Sequence, residues 1–248
     1  MIQAEILKLV RRRGLMIWCL ILTVGIVAVV EIVLVTLHAV NPGHHGPAGG
    51  PGNFRGAVET VGLFGILTGV LIGATSGSQD VQNGVFRDLV VTGRSRSRLF
   101  NVRIPGAFLV WLPMMLLGFA LATVVSFIFK GDLGNPSWHD IWHELAFALA
   151  IGTVNVVIAV SLAAFISSRI VIGVLIVWNT IVSQLLIHWH TLGGARKALD
   201  LVAAQHFQPN VAADERIAMS TGTAILVLLI WMGVFSWAGR WWTARRDA

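Results

Sequence analysis

The sequence predicts an all-α integral membrane protein with six transmembrane helices, and three observations lead there. Of 248 residues, 56% are hydrophobic and only 12% charged, with a mean hydropathy of +0.78, which is far too apolar for a soluble domain of that length. The apolar residues gather into six runs near 15–37, 58–78, 104–129, 145–167, 170–189 and 221–240, each about the 20 residues a helix needs to cross roughly 30 Å of hydrocarbon. Thirteen Lys and Arg fall on the side of both termini and five on the other. The positive-inside rule then places both termini in the cytoplasm. Residues 1–248 read as a single transmembrane domain.

Residues 1–13 carry Ile2, Ile6, Leu9 and Val10 on one helical face, with Lys8 and Arg11 to Arg13 around the other. That is the pattern of an interfacial helix held by anionic lipid, or of a plain basic flank that stops translocation. The first run is longer than a signal-peptide core and has no small-residue cleavage site after it, so it reads as a retained helix. Glu31 in its outer third and Glu59 at the outer start of the second run are costly charges. Each either pairs locally, as Glu59 would with Arg55, or handles a proton or a cationic substrate.

The Gly- and Pro-rich stretch from His38 to Ala57 reads as a flexible extracytoplasmic loop. In the second run Gly65, Gly69, Gly73 and Gly77 recur every four residues, a ridge that lets another helix approach closely. Pro105 and Pro113 each remove a backbone donor and can kink the third run.

Between the second and third runs lies the longest charged interruption, from Gln79 to Arg103. Within it Val85, Phe86, Leu89 and Val90 recur at helical spacing, flanked by Arg87, Asp88, Arg94, Arg96 and Arg98. This predicts a short amphipathic helix with one apolar stripe, placed to take mechanical input from another protein.

Ahead of the fourth run, His139 and His143 in HDIWHE share a helical face, with Asp140 and Glu144 alongside. The spacing suits two metal ligands, but two ligands are not a closed site, and Trp138 and Trp142 interleave as interface anchors do. The fourth run offers Ala148, Gly152, Asn155, Ala159 and Ala163 as a packing face. Only Ser168 and Arg169 separate the fourth and fifth runs, which predicts a tight hairpin.

On the fifth run Thr180, Gln184 and His188 stand at four-residue steps beside Asn179 and Ser183. Such a stripe should turn away from lipid, toward an interhelical hydrogen-bonding partner or a translocation path. Residues from Leu192 to Phe207 form a short amphipathic pattern that lies on or dips into the outer leaflet before Pro209 ends it. The sixth run closes on Trp237, Trp241 and Trp242 beside Arg240, Arg245 and Arg246, an aromatic and basic anchor.

Several functions are excluded or left without support. The lone Cys19 sits in an apolar run, so no disulfide framework exists. The net charge of +6 is dispersed between spans and does not form a stripe for nucleic acid. With no phosphate loop of the GxxxxGK[ST] kind, no HExxH and no GxSxG turn, neither ATP hydrolysis nor familiar hydrolase chemistry belongs to the chain, which reads as a non-enzyme.

The central loop resembles that of the six-helix permease subunits of ABC-2 type exporters. Those permeases carry an acidic residue four positions before a glycine, here Asp80 and Gly84, then a leucine pair, here Leu89 and Val90. A turn follows, here Gly93 with Arg96, and a basic residue opens the third helix, here Arg103. Gly93 stands where proline is usual and Val85 where threonine is common. The basic N-terminal segment, the hairpin at Ser168 and Arg169 and the segment before the sixth run are also similar.

The resemblance implies a bacterial plasma membrane location and a homodimer of permeases. It also implies a separate ATPase subunit that carries the ATP and magnesium, this chain holding no cofactor itself. A coupling helix around Val81 to Val91, with the Ser168 and Arg169 hairpin, would fit a groove of that ATPase, and the cargo would be a hydrophobic drug, a peptide or a lipid. Two other expectations stay open: a metal-handling protein built on the outer histidines, and a proton-coupled transporter using Glu31.

Overall fold

The computed structural model describes residues 1–208 and 217–245, and every regular element among them is helical. Pro209, Arg216 and Arg246 lie outside the described residues. Among the described residues six helices are long and apolar enough to cross a membrane: Arg13–Val40, Gly50–Gln82, Arg96–Ile128, Trp138–Leu162, Ser168–His188 and Thr221–Arg245.

Three span starts differ from the sequence reading: the third opens at Arg96, not near 104, because a short helix, Arg96–Asn101, runs into the main helix, Arg103–Ile128, and two others move for local reasons. The second span begins at Gly50, not near 58, because Pro51 in its first turn needs no amide partner and presets the helical φ. The Gly49 amide also docks on the Phe129 carbonyl at 2.8 Å, so the expected flexible loop to Ala57 shrinks to residues 41–49. The fourth span begins at Trp138, where the Ser137 hydroxyl accepts from the Asp140 amide at 3.0 Å as a helix cap. HDIWHE is therefore the opening of that span, which ends at Leu162.

The second and fourth spans form the centre. Over an apolar stretch of 18 residues in each, two-thirds are buried (67%), against 17%, 22% and 17% in the first, fifth and sixth. Their contact depends on missing side chains: a Cβ on Gly73 would stand 2.8 Å from the Val156 carbonyl oxygen and the Ala159 Cβ, and Gly77 meets Val160 and Ala163 more closely still. Gly69 also faces Val156, whereas Gly65 faces Met115 of the third span. Trp111 of the third span is fully buried, its indole donating to the Gly65 carbonyl at 2.8 Å, and its ring fills the space left by Gly152.

Beyond the fifth span the chain turns back as a 3-10 segment, His190–Ala198, and a short helix, Asp200–Gln205, whose first five residues are all buried. The Trp231 indole donates to the Ala198 carbonyl at 2.8 Å. Trp231 lies ten residues into the sixth span, about 15 Å along its axis. The returning segment thus packs against the sixth and fourth spans, with Trp178 of the fifth reaching Asp200, and does not rest on top of them.

Candidate functional site

A charge at the end of an apolar helix is tolerated when a partner and hydrogen bonds replace its water. Asp80, in the last turn of the second span, meets that condition. Its carboxylate accepts from Arg103 Nη2 at 2.9 Å and from Lys8 Nζ at 3.0 Å. Arg103, which opens the main helix of the third span, Arg103–Ile128, and has no solvent exposure, donates in addition to the Gly77 carbonyl at 3.0 Å. Lys8, on the N-terminal helix Ile2–Val10, also pairs with Glu5 at 2.5 Å. Three elements distant in sequence are thus joined through one carboxylate.

The loop helix, Val85–Val91, is seated on this junction. Gly84 starts it at φ +71, a left-handed conformation that glycine adopts without strain. Phe86, buried to 4%, lies 5.9 Å from the Arg103 guanidinium, within cation–π range. The expected single apolar stripe is only partly realised: Phe86 is buried and Leu89 and Val90 are half-buried, but Val85 is exposed and Val91 is 79% exposed. Seven residues are too few to bury a whole stripe against the two helices beneath.

The neighbouring candidates converge on the same face. Gln82 donates to the Ser168 hydroxyl at 3.4 Å, which puts the end of the second span beside the hairpin, while Arg169 stays exposed. Half-buried Arg96 reaches the Ala244 carbonyl near the end of the sixth span at 3.5 Å. Glu5 is the participant that sequence reading missed. Its only signal was its position three residues before Lys8, a spacing equally common on any solvated helix.

The polar residues of the fifth span divide in two. Asn179, in a π-helical turn from Trp178 to Val182, donates to Asn155 Oδ1 at 2.8 Å and receives a return bond at 3.4 Å, which ties it to the fourth span. Ser183 is fully buried. Thr180, Gln184 and His188 are exposed, and Thr180 and His188 bond back to carbonyls of their own helix, Ile176 and Gln184. Glu31 is 3% exposed, and among the described residues neither of its carboxylate oxygens has a hydrogen-bond partner.

On the opposite face, the rings of His139 and His143 stack at 4.3 Å, and His143 Nδ1–H donates to the Phe207 carbonyl at 3.0 Å. Among the described residues no three His, Cys, Asp or Glu side chains are grouped to hold a metal. Glu59 pairs with Arg55 at 3.1 Å in solvent. In the returning segment Asp200 is fully buried. The Trp178 indole reaches its Oδ1 at 3.4 Å, and burial pushes its carboxyl above the usual carboxylate range.

No family model matches the chain, and neither does any curated protein or solved structure.

Proposed function

We propose that this chain is the membrane-spanning permease subunit of an ATP-driven exporter of the ABC-2 type, in a bacterial plasma membrane, moving a hydrophobic or amphipathic cargo. The observation that carries the reading is the seating of the loop helix: Phe86 on Arg103, Arg103 on Asp80, and Asp80 on Lys8. A push on the exposed side of that helix, where Val85, Arg87 and Val91 project, passes through short polar bonds to the second and third spans and to the N-terminal helix. The hairpin at Ser168 and Arg169, one hydrogen bond from Gln82, widens the receiving surface. A separate ATPase, which holds ATP and magnesium, supplies the push and biases the spans between two arrangements.

The exposed stripe of Thr180, Gln184 and His188 supports a second copy. Polar side chains facing lipid are costly, and a paired subunit across a central path gives them water or partners. The test is co-purification from native membranes. A phosphate-loop ATPase should accompany the tagged chain and be lost in Val91→Asp and Arg169→Glu, with membrane insertion intact; an ATPase equally retained by both variants refutes the docking surface.

A second reading, proton-coupled transport, draws on the unpartnered carboxylate of Glu31. It requires transport by the isolated chain in liposomes, driven by a pH gradient and abolished by Glu31→Gln.

A further inference from the structure

The N-terminal helix and the end of the second span enclose a cleft of about 570 Å³, lined by Ala4, Leu7, Lys8, Arg11, Arg12 and Gln79. Its charges do not cancel. In the adjoining junction two cations, Lys8 and Arg103, meet two carboxylates, Glu5 and Asp80, so that group is balanced within itself. Arg11 and Arg12 are exposed, and among the described residues no carboxylate pairs with either. The partner of Arg12 is the neutral amide of Gln79, whose oxygen, turned toward it, accepts at 3.0 and 3.2 Å. Among the described residues the cleft therefore keeps two surplus positive charges.

Its position limits what neutralises them. The first span starts at Arg13, one residue past the cleft wall, so the cleft lies where that helix leaves the hydrocarbon. Leu7 and Val10, 55% and 46% exposed, add apolar surface beside the guanidinium groups. A soluble anion gains nothing from that surface, whereas a lipid uses both halves. We propose that the cleft binds the head group of an anionic phospholipid, its phosphate held by Arg11 and Arg12 and its acyl chains lying along Leu7 and the first span. Guanidinium groups suit this because each offers two parallel donors to a phosphate. The site does not depend on the exporter reading. It adjoins it, because Lys8 lines the cleft and also holds Asp80.

Native mass spectrometry of the full chain in mild detergent tests the proposal, with phosphatidylglycerol, phosphatidylcholine and inorganic phosphate as probes. One phosphatidylglycerol should be retained where phosphatidylcholine is not. The double variant Arg11→Gln/Arg12→Gln should bind it about thirtyfold more weakly. Arg11→Lys/Arg12→Lys, which preserves the charge, should stay within a few-fold of the parent. Arg94→Gln/Arg98→Gln removes the same charge from two exposed positions at the start of the third span, away from the cleft lining, and should change nothing. Equal retention of phosphatidylcholine, equal weakening in Arg94→Gln/Arg98→Gln, or full displacement of lipid by millimolar phosphate would each overturn it, the last by showing a soluble-anion site.

Discussion

The Arg103 guanidinium donates to the Asp80 carboxylate at 2.9 Å across 23 residues of sequence, which ties the last turn of the second span to the start of the third span's main helix. With Asp80 5% and Arg103 0% exposed, each charge depends on the other for its solvation. The pair therefore matters most when only half of it is removed.

Asp80→Asn leaves Arg103 buried beside an uncharged amide and should destabilise the chain by about 3 kcal/mol. Asp80→Leu with Arg103→Leu removes both charges and leaves Lys8 balanced by Glu5, so it should recover most of that loss. Unfolding in mixed micelles measures both. With the single variants Asp80→Leu and Arg103→Leu measured alongside, a double variant whose loss equals the sum of those two losses would show no coupling across the pair.

Gly77→Ala should cost about 1–3 kcal/mol, because the added methyl meets the Val160 carbonyl and Ala163 where the second and fourth spans pack closely. Gly56→Ala, on the same helix with nothing within 4 Å, should be neutral or slightly stabilising through the better helix propensity of alanine. A thermal-shift comparison of the two variants separates close packing from propensity, and equal shifts would sink the packing account.

How much of this was legible in the sequence depends on the kind of signal. The six spans were, because apolar runs of that length have one physical outcome in a membrane. Their ends were less so: Pro51 looks like a loop residue until it is recognised as a first-turn residue. Asp80, Arg103 and Lys8 were each visible, but their meeting at one carboxylate is a tertiary fact that residues 72 and 23 positions apart do not announce. The fifth-span stripe was read as one feature, yet neighbouring residues on a helix point about 100° apart. Asn179 and Ser183 continue the inward face of Val171, Leu175 and Ile187, with Asn179 bonded to Asn155, and Thr180, Gln184 and His188, each one residue on, stay outside.

Asp200 should impose a pH dependence on stability. Burial raises its carboxyl pKa in the folded chain, so the folded state holds the proton more tightly than the unfolded state, whose value is about 3.9. Its effect is then least harmful below pH of about 4 and becomes increasingly destabilising as pH rises from there through the raised folded value, beyond which it levels off. Asp200→Asn keeps an acceptor for the Trp178 indole and removes the charge. The difference in unfolding temperature between variant and parent should be near zero in acid and should favour the variant increasingly toward neutral pH. A difference independent of pH would mean that the carboxyl titrates as it does in the unfolded chain.

Sidedness is decided by two cysteines. Val91 is 79% exposed on the loop helix, and His45 is exposed on the connection between the first two spans; the native Cys19 is buried and should stay silent. In intact cells a membrane-impermeant maleimide should label His45→Cys and not Val91→Cys. After the membrane is opened both should react. The positive-inside bias rests on thirteen basic residues against five, and in bilayer insertion such an excess sets orientation through the short connections. Labelling of Val91→Cys from outside intact cells would place the loop helix away from any cytosolic ATPase, and the exporter reading would fall with it.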